Sequence, residues 1–256
     1  MLNGLKQFKN PPIKEAIFAI SFKEVIPQES LNLFIKNEFI KKNFPIYQPG
    51  IVVEVTNKQK PNQTETDITK AVSTNHKQEG YLLRGEDGIN RLVQINPTSL
   101  SYHTFNKYTG WESMFNELQK IWVEFCKSVS KTMISQISVR YINHIRLPFP
   151  LKNGIQNYIK LLPQIPDGIN PKLNNFFIQI HVPNGKNSFQ GVITETLLST
   201  DSKKEMLIVL LDISVVEQKD FNCDEQAIWT TFNQIREFKN ELFSSCITEE
   251  TKELFN

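Results

Sequence analysis

Residues 91–128 have the sequence RLVQINPTSLSYHTFNKYTGWESMFNELQKIWVEFCKS, in which two short strand patterns precede one amphipathic helix. A similar succession occurs at residues 205–245, EMLIVLLDISVVEQKDFNCDEQAIWTTFNQIREFKNELFSS. The two helices align by their apolar positions at one constant offset: Phe115 with Phe232, Leu118 with Ile235, Ile121 with Phe238, Phe125 with Leu242. The sequence therefore predicts two pseudo-repeated halves, although an apolar stripe at helical spacing indicates a fold and not a chemistry.

The chain before this segment shows one strand, one helix and a long polar stretch. Apolar and polar residues alternate from Glu15 to Lys23, which predicts the first strand. Apolar residues at helical spacing from Leu31 to Ile40 predict one helix, with Ser30 as its cap and Pro45 as its end. The polar segment Thr56–Gln78 is predicted as a long exposed hairpin or loop.

The order of the predicted elements is βαββββαβ and then αβββα. Further strands are predicted at Ile51–Val55, Tyr81–Arg84, Arg91–Ile95, Leu100–Phe105, Met133–Leu147, Phe176–Val182, Phe189–Leu198 and Met206–Val216, and further helices at Trp111–Ser128, Ile155–Leu162, Glu225–Ser245 and Glu249–Phe255. Consecutive strands closed by a helix predict an α+β protein, with antiparallel sheets and helices packed on one face. Prolines from 148 to 166 place the boundary between halves 1–148 and 149–256, which could share one continuous sheet or interface.

Composition limits the classes of protein to consider. With 39% hydrophobic and 22% charged residues, the 256-residue chain resembles a packed soluble protein. Its net charge of +2 gives no argument for duplex nucleic acid or an anionic membrane as partner. Cys126, Cys223 and Cys246 are far apart, so no disulfide framework or structural zinc site is predicted. The sequence shows no export signal and no apolar run of about 18 residues, so we expect no membrane association and a cytoplasmic location.

Motifs that carry chemistry are absent from the sequence. It contains no Walker-type, dinucleotide-binding, zinc-protease or nucleophile-elbow pattern. The four histidines, His76, His103, His144 and His181, never lie within one helical turn of each other. We therefore predict no catalytic residue, no metal site and no cofactor.

Polar candidates lie on three of the predicted strands. Arg140, His144 and Arg146 share one strand face over about 7–14 Å, and could hold a phosphate, a carboxylate or a nucleic-acid backbone. The commoner explanation is an exposed face with salt bridges, because Ile142 interrupts the row.

Three further residues complete this candidate polar site. Glu15 is a strand-entry acid that could lie partly buried near Arg140. Asn143, on the apolar face of its strand, fits a buried amide satisfied by the backbone. Asp212 lies in an apolar strand and needs a partner or water; a basic residue from the other half would make it a structural pair.

The three tryptophans are candidate core or interface anchors. Trp111, Trp122 and Trp229 lie in the two repeat helices, and the single N–H donor of tryptophan suits half-buried positions.

Four segments together resemble a known family: NPPIKEAIFAISF (10–22), SYHTFNKYTGWESMF (101–115), VRYINHI (139–145) and FKNELFSSCITEETKELF (238–255). They are similar to a sporadically distributed bacterial family of uncharacterised proteins of about 250 residues, and the resemblance covers almost the whole chain. It implies no catalytic residue. The distribution of that family resembles that of phage-defence and mobile-element genes.

Three functional hypotheses follow from the sequence. The leading one is a non-catalytic interaction protein that binds a protein partner and could be an accessory subunit of a bacterial phage-defence or mobile-element system. A homodimer is also possible. The second is a small-ligand sensor or enzyme with a pocket between sheet and helices, using Glu15, Arg140, His144 and Asp212. The third, a nucleic-acid binder, would use Arg140, Arg146 and the lysines between residues 57 and 77.

Overall fold

The computed structural model describes residues 8–57, 72–86, 90–106, 108–129, 132–151, 153–166, 175–201, 206–221 and 225–256. The strands are β1 (Ile13–Phe22), β2 (Ile46–Asn57), β3 (Val72–Arg84), β4 (Arg91–Asn96), β5 (Ser99–Phe105), β6 (Ile134–Pro148), β7 (Phe177–Pro183), β8 (Gln190–Asp201) and β9 (Met206–Phe221). The helices are α1 (Gln28–Lys36), α2 (Glu38–Asn43), α3 (Trp111–Ser128), α4 (Glu225–Cys246) and α5 (Glu249–Glu253), with one 3-10 turn at Ile155–Asn157.

The nine described strands form one antiparallel sheet in the order β2-β3-β4-β5-β1-β6-β9-β8-β7. The chain is therefore a mixed α and β protein, as the order of elements predicts. Strand β6 pairs with β9 over most of its length, so the sheet continues across the proline-rich segment that follows β6.

One face of the sheet carries the helices. We call the face that bears Phe18, Val139 and Val209 the inner face, and the opposite face the outer face. On the inner face the ring of Phe18 lies 4.7 Å from that of Trp111 in α3 and 5.7 Å from that of Phe232 in α4, centroid to centroid. Both long helices thus pack on the same central strand, and the core forms between them and the sheet.

Several predicted elements differ in their extent. The single helix expected from Leu31 to Ile40 is two helices, because the Asn37 side chain accepts hydrogen bonds from the amides of Phe39 and Ile40 and so begins α2. The N-cap position of α1 is occupied by Pro27 and not by Ser30.

Two further predicted segments have different outcomes. The helical piece expected at Ile155–Leu162 is one 3-10 turn. The polar segment Thr56–Gln78, predicted as a hairpin or loop, has the paired ends of an antiparallel hairpin, because β2 extends to Asn57 and β3 begins opposite it at Val72, while residues 58–71 lie outside the described part. The turn expected at Asp87 and Gly88 and the third cysteine, Cys223, also lie outside it.

Other predicted elements are confirmed. Helix α3 has the predicted bounds, α4 ends one residue later than expected, and the alternation of β1 buries Ala16, Phe18, Ile20 and Phe22.

The thiol of Cys126 is exposed and that of Cys246 is buried. Within the described residues, no helix is both long and apolar enough to cross a membrane.

Candidate functional site

A cavity of about 510 Å³ lies between the inner face and the helices. Its walls come from the segment 8–13, from residues 108–113 at the start of α3, from β6 and β9, and from one side of α4. This size falls within the roughly 300–1,000 Å³ typical of cavities that hold small organic molecules. Because the order of the sheet places β1 beside β6, these segments meet although they are distant in sequence.

Basic side chains predominate on the cavity wall. Among the described residues, four basic side chains line it, against the single acid Glu112: Lys9, Arg236, Lys239 and Lys252. One Arg236 Nη donates to Glu112 Oε1 at 2.9 Å, and Lys252 Nζ donates to Glu249, outside the cavity, at 2.7 Å. The cavity therefore carries an excess of positive charge.

Lys239 is the most unusual of these residues. It is only 7% exposed, and within the described residues it makes neither a hydrogen bond nor an ion pair. Its Nζ lies 3.8 Å from the centroid of the Tyr141 ring, a cation–π contact. Burial, and secondarily the charge of Arg236, lower the pKa of Lys239 to about 7.

Helical spacing explains why these groups face the same space. Arg236, Lys239, Asn240 and Phe243 lie at positions i, i+3, i+4 and i+7 of α4, which share one side of a helix, and all four line the cavity. Lys239 also follows Ile235 by four residues, which places a lysine beside the apolar stripe. That pattern is the signal in the sequence that points to Lys239.

The start of α3 adds backbone donors to the cavity wall. Its N-cap is Gly110, with φ of 103°, a left-handed conformation that favours glycine, and no side chain caps the helix. The first amides of a helix have no intrahelical acceptor. Trp111, the first helical residue, is 4% exposed, and its Nε1 is buried without a hydrogen-bond partner among the described residues.

Two tyrosine hydroxyls and one amide complete the polar wall. The hydroxyls of Tyr108 and Tyr141 lie 2.8 Å apart, and burial raises the pKa of both, which keeps them neutral. Asn143 is buried, and its Nδ2 donates to the carbonyls of Leu211 at 2.9 Å and Tyr141 at 3.2 Å. The backbone thus satisfies the Asn143 amide, as the sequence predicted.

The outer face brings Arg140 and Asp212 together. The Arg140 guanidinium donates to the Asp212 carboxylate through Nε at 3.0 and 3.1 Å and through one Nη at 2.6 Å. These hydrogen bonds, helped by the charge of Glu15, raise the pKa of Arg140. Asp212 of β9 therefore has a basic partner on the neighbouring strand β6, in a structural pair.

Glu15 belongs to a second outer-face network that the sequence did not reveal. Its Oε1 lies 2.8 Å from His103 Nδ1, and His103 Nε2 lies 2.8 Å from Ser101 Oγ. With a neutral imidazole protonated on Nδ1, the hydroxyl of Ser101 donates to Nε2, which is the order of contacts in a serine–histidine–carboxylate triad. His103 is opposite Ile17 in the β1–β5 pairing, so only the register of these strands could have shown this contact.

This network lacks the other parts of a hydrolase site. Ser101 is 9% exposed and lies within a strand paired on both edges, with Ala19 in β1 and Gln94 in β4. Its surroundings therefore present sheet-bonded amides, whereas an oxyanion hole needs free donors. Ser101, His103 and Glu15 line neither the inner cavity nor a second described cavity, of about 320 Å³, beside Tyr102 and Thr104. The contacts describe a polar sheet face.

The predicted site residues thus separate into two groups. Asn143 lines the inner cavity, while Glu15, Arg140, His144, Arg146 and Asp212 lie on the outer face. Burial and the charges of Lys14 and Arg146 lower the pKa of His144.

The tryptophans differ in their accessibility. Trp111 and Trp122 are buried in the core, so their burial removes them as contact residues for a macromolecular partner. Trp229 is partly buried, with its ring against Phe115 and Phe232.

Within the described residues, no group of three or more His, Cys, Asp or Glu side chains could hold a metal ion. Neither a protein-family model nor a curated protein matches this chain.

Proposed function

We propose that this chain binds a small anionic molecule in its inner cavity. The observation that carries the proposal is Lys239, a buried lysine on the wall of a 510 Å³ cavity with no acidic partner among the described residues. A buried charge is costly unless it is paired. An anionic ligand would supply that pair.

The charges around Lys239 support the same sign of ligand. Arg236 reaches the same cavity from one turn earlier in α4, and the start of α3 adds the positive end of a helix dipole. Apolar walls at Phe8, Pro11 and Phe243 give the cavity the mixed lining of a small-molecule site.

Thermal denaturation with added anions tests this proposal. The midpoint of the purified full chain should rise with at least one of inorganic phosphate, citrate or benzoate. The rise should be lost in Lys239→Met, kept in Lys239→Arg, and unchanged in Lys120→Met, a control at an exposed lysine of the other long helix. An equal response of Lys239→Met and wild type to every anion would overturn the proposal.

A second candidate function is protein interaction, the leading hypothesis from the sequence. Phe177 is 67% exposed on β7, which ends the described sheet with one edge unpaired. Such an edge can pair with another chain, a partner protein or a second copy. Tagged wild type should recover a stoichiometric partner from its host, Phe177→Ser should not, and the matched Leu254→Ser should. Recovery independent of Phe177 would remove this surface from the proposal.

The remaining hypotheses are proposals with narrower support. The two-half plan, 1–148 and 149–256, is supported by α3 and α4, which both contact Phe18 on the inner face. Membership of the bacterial family, a defence or mobile-element role and a cytoplasmic location rest on the sequence alone. Nucleic-acid binding is supported least, because Arg140 is already paired with Asp212.

A further inference from the structure

We infer that the inner cavity binds the phosphate monoester of a ring-bearing organic molecule, with the phosphate between the start of α3 and the Arg236–Lys239 side of α4. This inference rests on the proposed anion-binding function and names the class of its ligand. The side chains that it uses line the cavity in the described structure.

The start of α3 lies at the cavity. This helix has 18 residues, and its first residues Trp111, Glu112 and Ser113 line the cavity together with the N-cap Gly110. A helix N-terminus without a side-chain cap offers free N–H donors and about half a positive charge, which favours a doubly charged phosphate over a singly charged carboxylate.

A buried side chain supplies a donor independently of the helix backbone. Lys239 is buried, lines the cavity and has no acidic partner among the described residues. Leaving a buried donor without an acceptor costs about 1–3 kcal/mol. A phosphate monoester presents three terminal oxygens, one more than a carboxylate, and so can accept from Lys239 and from the start of α3 together.

Apolar and aromatic side chains form another part of the cavity wall. The cavity continues from the basic side to Phe8, Pro11, Pro12 and Phe243. The Phe8 ring packs against Phe243 at 6.3 Å and Phe255 at 5.2 Å, which fixes it as an aromatic wall. A flat ring on the ligand suits such a wall, whereas inorganic phosphate alone would leave it unoccupied.

Glu112 should affect phosphate binding in the direction opposite to Lys239. It is the one acid on the wall in the described part of the chain, it lies in the first turn of α3, and it pairs with Arg236. Its carboxylate repels a second anion at the same place and occupies one donor of Arg236. Neutralising Glu112 should therefore tighten the binding of a phosphate, whereas loss of Lys239 should weaken it.

Calorimetric titration of the full chain at pH 7.5 (about one and a half units above the second pKa of a phosphate ester) and constant ionic strength tests the class of ligand. The probes are phenyl phosphate, benzoate and inorganic phosphate. We expect phenyl phosphate to bind at least tenfold more tightly than either of the others. Lys239→Met should weaken the binding of phenyl phosphate at least tenfold, and Glu112→Gln should tighten it.

A matched control separates these effects from folding. Lys120→Met removes an exposed lysine of α3 that does not line the cavity and should leave binding unchanged. Urea midpoints no lower than that of wild type would show that Lys239→Met and Glu112→Gln remain folded.

The outcomes distinguish the two proposals. If benzoate binds as tightly as phenyl phosphate and both depend on Lys239, the cavity binds anions but the phosphate inference fails. If none of the probes binds, or binding is indifferent to Lys239→Met, the inference and the anion-binding function both fail.

Discussion

The ionisable side chains on the two faces of the sheet differ in whether they have a partner. On the outer face each candidate acid has a basic or polar partner across the strands: Asp212 with Arg140, and Glu15 with His103. On the inner face Lys239 and Glu195 are buried with no ionic partner among the described residues. The paired charges of the outer face thus stabilise the surface, whereas the buried ionisable groups of the inner face destabilise the core.

Two neighbouring acids show the difference most directly. Thr194 is opposite Asp212 and Glu195 is opposite Leu211, so the two carboxylates lie on adjacent strands but on opposite faces. Asp212 accepts three hydrogen bonds from Arg140. Both oxygens of Glu195 are buried without a hydrogen-bond partner in the described part of the chain, and burial raises the pKa of Glu195 to about 8. A carboxyl kept neutral in this way avoids the larger cost of a buried charge.

The largest expected effect concerns the apolar part of the inner face. Phe232→Ala should lower the free energy of unfolding by about 3–5 kcal/mol, because this fully buried ring packs on Phe18 and Phe115. Ile17→Ala, at a partly exposed outer-face position, should cost no more than about 1 kcal/mol. Urea denaturation measures both values. Equal losses would show that the outer face is covered as fully as the inner one.

A smaller effect should follow from Glu195. In the unfolded chain this carboxyl ionises near its ordinary pKa of 4.5, while the folded protein retains the proton to about pH 8. The folded state thus binds more protons between these values, so its stability falls as pH rises from about 4.5 to 8. Glu195→Gln should remove this dependence.

The gap in unfolding free energy between Glu195→Gln and wild type should change by about 1–3 kcal/mol from pH 5 to pH 8. Glu217→Gln is the control, because Glu217 is equally buried but accepts from the Ser188 hydroxyl at 2.6 and 2.8 Å. A constant gap across this pH range would mean that Glu195 is already ionised in the folded protein.

The sequence predicts these faces better than it predicts their contacts. The alternation of β1 and the stripe of α3 are local patterns with periods of two and 3.6 residues, and both are confirmed. The break at Asn37 is hidden, because the apolar spacing from Leu31 to Ile40 continues through it. Its signal is a capping asparagine, and a capping side chain can equally occur inside a helix.

The cavity could not be predicted because it depends on long-range order in the sheet. Phe8, Trp111 and Lys239 meet only when β1 lies between β5 and β6, and no local pattern encodes that order. The pairing of Glu15 with His103 needs the β1–β5 register in the same way. Asn143 was identified because its requirement is local: a polar residue on an apolar strand face must find a backbone partner.

Proton uptake at Lys239 gives the next prediction. The pKa of this lysine is about 7 in the free protein, and a bound anion must raise it. Binding of phenyl phosphate should therefore take up a proton, and its affinity should fall from pH 7 to pH 9 by at most about tenfold per pH unit. Calorimetry in buffers of different ionisation enthalpy measures the proton uptake.

Lys239→Arg is the matched variant, because arginine stays charged throughout this range. Its affinity for phenyl phosphate should be nearly independent of pH between 7 and 9. The same slope in wild type and Lys239→Arg would assign the titration to another group.

The outer-face ion pair should contribute little. The Arg140 side chain is 50% exposed and that of Asp212 is 11% exposed, so solvent screens much of their attraction. A double-mutant cycle of Arg140→Ala and Asp212→Asn should give a coupling of about 0.5–1 kcal/mol that shrinks in salt. A coupling above about 3 kcal/mol is typical of buried pairs and would end the contrast between the faces.

The smallest expected effect is the absence of a reaction at Ser101. Its hydroxyl contacts His103 as a catalytic serine contacts its base, yet it lies in a strand paired on both edges and lines neither described cavity. A fluorophosphonate probe should therefore label wild type no more than Ser101→Ala, while a known serine hydrolase in the same mixture is labelled. A hydrogen-bonded base orients a nucleophile, but the tetrahedral intermediate also needs free donors for its oxyanion. Labelling that depends on Ser101 and His103 would show that the strands of the outer face can separate locally and so provide such donors.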